Sequence, residues 1–137
     1  MRILGKITFF GTKTSLDLLA SSAPFTNSVF EQVGALRKVP DLDSWCYGTP
    51  WYRFRFEQLD EDVRRFLLAH ETLLGTSIFR DAEIKYSIFT LSPITQNPDE
   101  AFSCFFDTKT LEKLLVLGLA LEIAPASVMP DAPYWGG

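Results

Sequence analysis

The chain reads as an α+β domain: a single mixed, mostly antiparallel sheet of four to five strands, with two to three helices packed on one face, a ferredoxin-like variant. Three stretches predict it. Thr108 to Ile123 is a short amphipathic helix, stopped at Gly118, that turns directly into a strand. Trp51 to Glu57 alternates strictly, with Tyr52, Phe54 and Phe56 on one face and Trp51, Arg53, Arg55 and Glu57 on the other. Immediately after it, Val63, Phe66, Leu67, His70 and Leu74 recur at helical spacings of three and four.

Taken in chain order, Ile3 to Phe10 is β-rich and reads as a first strand, broken by Gly11 and Thr12. Thr14 or Ser15 then offers a cap for a short helix over Leu16, Leu18 and Leu19. Asn27 offers another cap, for a helix carrying Val29, Phe30, Val33 and Leu36, which Gly34 weakens. Pro40, Asp41, Asp43, Gly48 and Pro50 mark a loop before the Trp51 strand. Asp60 is the expected N-cap of the next helix, with Glu61 and Asp62 well placed against its dipole, and Gly75 its end. Glu83 to Leu91 and Ala101 to Phe106 read as two strands joined by a loop from Ser92 to Glu100. The closing helix and strand follow. Residues 1–124 therefore form one domain, and 125–137 a Pro-rich irregular C-terminal tail.

Composition narrows the function classes. The chain has 137 residues, 47% hydrophobic and 14% aromatic, with 12 Phe, which is enough for a real core and argues against disorder. A net charge of −4 argues against general nucleic-acid binding. No apolar run approaches the roughly 20 residues needed to span a bilayer. The first residues, interrupted by Gly5 and Lys6, do not fit a signal peptide, so a cytoplasmic location with Cys46 and Cys104 as reduced thiols is expected.

Chemistry-bearing patterns are scarce. His70, the single histidine, lies on the apolar stripe of its helix and reads as a partly buried structural residue rather than a general base. Neither cysteine sits in a recognisable nucleophile motif, though a dyad with His70 is possible on paper. One His and two separated Cys do not make an ordinary zinc site, and no calcium loop, phosphate loop or dinucleotide fingerprint occurs. No catalytic, metal or cofactor-binding residue is therefore assigned. The Trp51-Tyr-Arg-Phe-Arg-Phe stretch interleaves aromatics with Arg, as single-strand binders do, but its alternation sends charge and aromatics to opposite faces.

A one-sided helix layer leaves the other sheet face open. Alternation places Tyr52, Phe54, Phe56, Ile84, Tyr86 and Ile88 inside, and Trp51, Arg53, Arg55, Lys85 and Ser87 outside. Lys6, Arg53, Arg55 and Lys85 then form a basic face, either a solvated surface or a docking surface. Glu57, Asp60, Glu61 and Asp62 form a separate acidic corner.

The ending Thr-Leu-x-x-Leu-x-x-Leu-Gly-Leu-x-Leu-Glu-Ile, Thr110 to Ile123, together with a starting strand, a short Leu-rich helix and the Trp51 to Phe56 strand, resembles the bacterial family called domain of unknown function 4279. The family's early Leu-Gly-x-x-Pro turn is only loosely echoed by Val33-Gly34 and Pro40, and the tail is extra. The resemblance implies a compact, non-catalytic domain of the immunity-protein kind, and it carries no residue roles. The expectation is thus an immunity protein that binds and neutralises a cognate toxin, contacting it through Trp51, Arg53, Arg55 and Lys85, with Tyr134 and Trp135 as a second anchor. A toxin with a basic active site would favour the acidic corner. The rivals are a small-molecule-sensing ferredoxin-like module and an enzyme using His70 with a cysteine. Oligomeric state is left open.

Overall fold

The computed structural model describes residues 1–22, 25, 37–39, 44–95, 97, 99–126 and 131–136. Its centre is β1 (Arg2–Gly11), whose residues Ile3, Ile7 and Phe9 are fully buried. The chain continues through α1 (Lys13–Ser21), β2 (Arg37–Val39), β3 (Ser44–Gly48), β4 (Tyr52–Phe54), α2 (Leu59–Leu74), α3 (Ser77–Asp81), β5 (Ile84–Ile94), α4 (Thr108–Val116) and β6 (Ala120–Ile123). The sheet order is β2-β3-β1-β5-β6, with β4 paired to β1 beyond the end of β3. These strands pair antiparallel except β5 with β6, which is parallel. The expected mixed, mostly antiparallel α+β sheet is what forms.

One side of the sheet carries the core. Ile3, Ile7 and Phe9 of β1, Phe54 of β4 and Phe89 and Leu91 of β5 pack against Leu16, Leu19, Val63, Phe66, Leu67, Leu74 and Leu114 from the helices. Phe66 is the hub, with ring centroids 5.4 Å from Phe54 and 5.8 Å from Phe89. Such offset and edge-on aromatic pairs add to the burial of their area.

Caps fix the helix ends. Thr12, not Thr14 or Ser15, caps α1, its hydroxyl accepting from the Ser15 N–H at 3.1 Å. At α2 the expected Asp60 cap is absent, because Asp60 is drawn away: it accepts from the Asp107 N–H at 2.9 Å and pairs with Arg64. Asp107 caps α4 in turn. Gly118 has φ +69°, and Leu119 N–H returns to the Leu114 carbonyl at 2.9 Å, which closes the helix and launches β6 as predicted.

Four further expectations fail, each decided by how the elements pack. Residues 44–48, expected in a loop, form β3, with Tyr47 buried and Trp45 against the core. Phe56, expected inside, starts a 3-10 turn at 56–58 and is exposed. Ala101 to Phe106 forms no strand. Its hairpin place beside β5 does not exist, since β5 runs on to Ile94 and is flanked by β1 and β6. Finally, Tyr86 and Ile88 face outward, opposite Phe10 and Thr8, while Ser87 lies opposite Phe9 on the core side. The register shifts between Phe10 and Gly11, whose partners are Tyr86 and Ile84, so Lys85 is the extra residue of a bulge that flips the facing of everything after it. The helix expected after Asn27 and the turn residues 40–43 lie outside the described residues.

The tail is tied into the sheet at both its ends. Ala126 bridges Ile94 beside β5, and Tyr134 bridges Arg53 beside β4, on the opposite flank of β1. Arg53 N–H donates to the Pro133 carbonyl at 2.8 Å and Trp135 N–H to the Arg53 carbonyl at 3.0 Å.

Candidate functional site

The face away from the helices presents the even residues of β1. Leu4 is fully buried there, and Thr90, Ser92 and Ile94 of β5 nearly so, whereas Lys6, Thr8 and Phe10 are half-buried and Tyr86 is 61% exposed. This face is covered at one end and open at the other.

Two cation–aromatic pairs organise it. The Lys6 ammonium lies 4.5 Å from the centroid of Trp51, and the Arg53 guanidinium 4.5 Å from that of Tyr134. Each pair holds a long side chain against a ring, attracted by the ring's negative face. Glu122 of β6 accepts from the Thr90 hydroxyl at 3.1 Å and supplies the acidic border. Tyr134 also lines a neighbouring cleft of about 410 Å³ with Arg55, Arg65 and Trp135.

Of the residues expected to act together, the structure unites Trp51, Arg53 and Tyr134, and Lys6 joins them. Arg55 leaves the strand. Its Nε and terminal nitrogen donate to the two Asp62 oxygens at 3.1 and 2.6 Å, and its backbone N–H to Asp62 at 2.9 Å. Burial alone would raise the Asp62 pKa, but these bonds from Arg55 outweigh it and the carboxyl is held below its usual value. Arg55 is thereby a clamp between β4 and α2.

Lys85, displaced by the bulge, lines a different cleft of about 480 Å³ with Glu71, Arg80 and Gly118. Trp135 turns inward, its ring 5.0 Å from Tyr52 and 4.9 Å from Phe66. Sequence reasoning missed Phe10 and Tyr86 on the open face. The uninterrupted Phe89-x-Leu91 alternation was the available signal for the correct facing.

His70 is buried, as its place on the apolar stripe implies, at 2% exposure between Phe66 (4.5 Å) and Trp135 (5.6 Å). Its Nδ1 lies 2.8 Å from the Phe66 carbonyl, so in the neutral ring Nδ1–H donates. Burial lowers the His70 pKa, only partly opposed by that carbonyl. Burial likewise pushes the Cys104 thiol up, the reverse of an activated thiolate.

The His70 shift has a sign that can be tested. The unfolded imidazole protonates near 6.5 while the folded one stays neutral to lower pH. Stability is therefore full above pH 6.5 and falls as pH drops from there to the folded value. The shifts at Asp62 and Asp107 act only below 3.8. Denaturant titrations at pH 7 and pH 5 should show the wild type losing stability and His70→Phe losing less; an equal loss in both would refute the assignment.

No family model matches the chain, and neither the curated proteins nor the solved structures hold a significant match to it. Among the described residues no helix is long and apolar enough to cross a membrane, and no group of three or more His, Cys, Asp or Glu is arranged to hold a metal ion.

Proposed function

We propose that this domain is a cytoplasmic immunity protein that binds and neutralises a cognate bacterial toxin, without chemistry of its own, using the open sheet face. The observation that carries this reading is the pair of cation–aromatic contacts, Lys6–Trp51 and Arg53–Tyr134, beside the exposed Tyr86. Trp, Tyr and Arg dominate the energetics of protein interfaces. Side chains already held against one another lose less freedom on binding, so more of the contact energy appears as affinity. The resemblance to domain of unknown function 4279 adds the toxin as partner. The Lys and Arg charges would speed and orient encounter with an acidic surface on that toxin.

The sensing alternative is favoured by one feature, the cleft of about 480 Å³ between the end of α2, α3 and the start of β5.

Co-purification with the product of the adjacent gene, paired with a toxicity rescue assay, separates the two readings. The wild type should form the complex and rescue growth. Lys6→Glu with Arg53→Glu should weaken the complex by roughly 100-fold, at about 1.4 kcal/mol per tenfold, while leaving thermal stability close to wild type. Absence of any complex and rescue would end the immunity reading. A complex indifferent to the double reversal would move the interface off the sheet face.

A further inference from the structure

The stretch 101–106 has the composition and the periodicity of a strand but no strand partner among the described residues. Phe102, Cys104 and Phe106 are half-buried against the core, while Ala101, Ser103 and Phe105 are exposed, a two-residue alternation. Among the described residues, none from 101 to 106 makes a hydrogen bond. Backbone groups at the ends of α4 and β5 are paired around it, while those of 101–106 have no hydrogen-bond partner among the described residues. Phe105 is 80% exposed, a large apolar ring turned to solvent on the outward side of that alternation.

Alongside runs a groove of about 420 Å³ between this stretch and the start of α2. Phe56 and Phe105 form its apolar walls, and Glu57 and Glu61 its rim. Asp60 is already committed to Arg64 and the Asp107 N–H, but neither glutamate holds an ion pair among the described residues.

We propose that residues 101–106 are a docking edge that receives an extended strand from a protein partner, with lysine or arginine side chains of that strand facing Glu57 and Glu61. Strand addition supplies the missing backbone partners, and alternate side chains set the specificity. The unpaired backbone carries the proposal, and the rim selects the occupant. A second copy of this chain would bring the same glutamates against each other, and like charges placed opposite disfavour pairing. A basic strand meets opposite charge and covers Phe105 with its aliphatic stems. The site uses none of the sheet-face residues, so it stands or falls separately from the toxin reading.

The test uses the whole protein and an alternating valine–lysine heptapeptide, followed by amide hydrogen exchange and chemical-shift mapping. Slowed exchange at 101–106 is expected with this peptide and not with its valine–glutamate counterpart. N-methylation of alternate peptide nitrogens, which keeps every charge, should abolish the protection. Glu57→Lys with Glu61→Lys, both on exposed positions, should weaken binding by roughly tenfold or more. Protection that survives N-methylation would mean charge attraction without strand pairing and would overturn the proposal. So would protection confined to the β6 or β2 edge, or none with the basic peptide.

Discussion

Replacing Trp135 by alanine is expected to lower the unfolding free energy by about 3 kcal/mol, the low end for a buried Trp because the ring is only partly covered. The ring meets Tyr52 and Phe66 edge-on and lies against His70, so its loss opens the aromatic core from the tail side. Without that anchor, the hydrogen bonds joining Pro133 and Trp135 to Arg53 are held only by the backbone. Its neighbour makes the control. Tyr134 is 46% exposed and touches Arg53 through a surface cation–aromatic contact, so Tyr134→Ala should cost about 1 kcal/mol or less. Equal losses for the two variants in urea denaturation would contradict the in–out split of the tail. On the proposed sheet-face interface, Tyr134→Ala should reduce partner binding in a folded protein, whereas Trp135→Ala should reduce it only by unfolding.

Gly48→Ala should cost about 3 kcal/mol, the upper end for adding one methyl group to a packed interior. A Cβ at Gly48 would stand 2.1 Å from the Ile7 carbonyl oxygen and 2.9 Å from the Thr8 Cα. Both are backbone atoms of the central strand, so no flexible side chain can yield. The close approach lets one flank of β1 serve two strands. β3 pairs with Thr8 to Gly11 and β4 with Ile3 to Gly5, and Thr49 fills the gap. Its N–H donates to the Ile7 carbonyl at 2.9 Å, and its hydroxyl accepts from the Ile7 N–H at 3.0 Å. Pushing β3 away breaks both bonds. A denaturation midpoint within error of the wild type would show that β3 can shift freely, against this account.

Local signals proved readable where the physics is local. The α4 helix, its stop at Gly118 and the turn into β6 depend on helical periodicity and one positive φ, all contained in consecutive residues. Of its leucines, however, only Leu114 is buried, while Leu111 and Leu115 are exposed. The α2 stripe, including His70, is equally self-contained, and each of its positions is buried. The candidate site was half legible for a related reason. Arg53 and Trp51 follow from the alternation of their own strand, but the same parity was extended to Arg55, where the chain has already turned and Asp62 captures the guanidinium. Lys85 failed because a bulge depends on what the partner strand offers, and β1 ends its regular ladder at Gly11.

The sequence alone determined the elements: which segments are amphipathic, where glycine ends a helix, and which strand mixes aromatic and basic residues. Tertiary structure alone decided which elements meet. Ala101 to Phe106 has the alternation of a strand and pairs with none of the described residues, because β5 is already flanked on both sides. Trp45 and Tyr47 sit among turn residues and still form β3, because the flank of β1 beside them is open. Pairing is a long-range choice made by burial and by available backbone partners, and neither is encoded in any single stretch of residues.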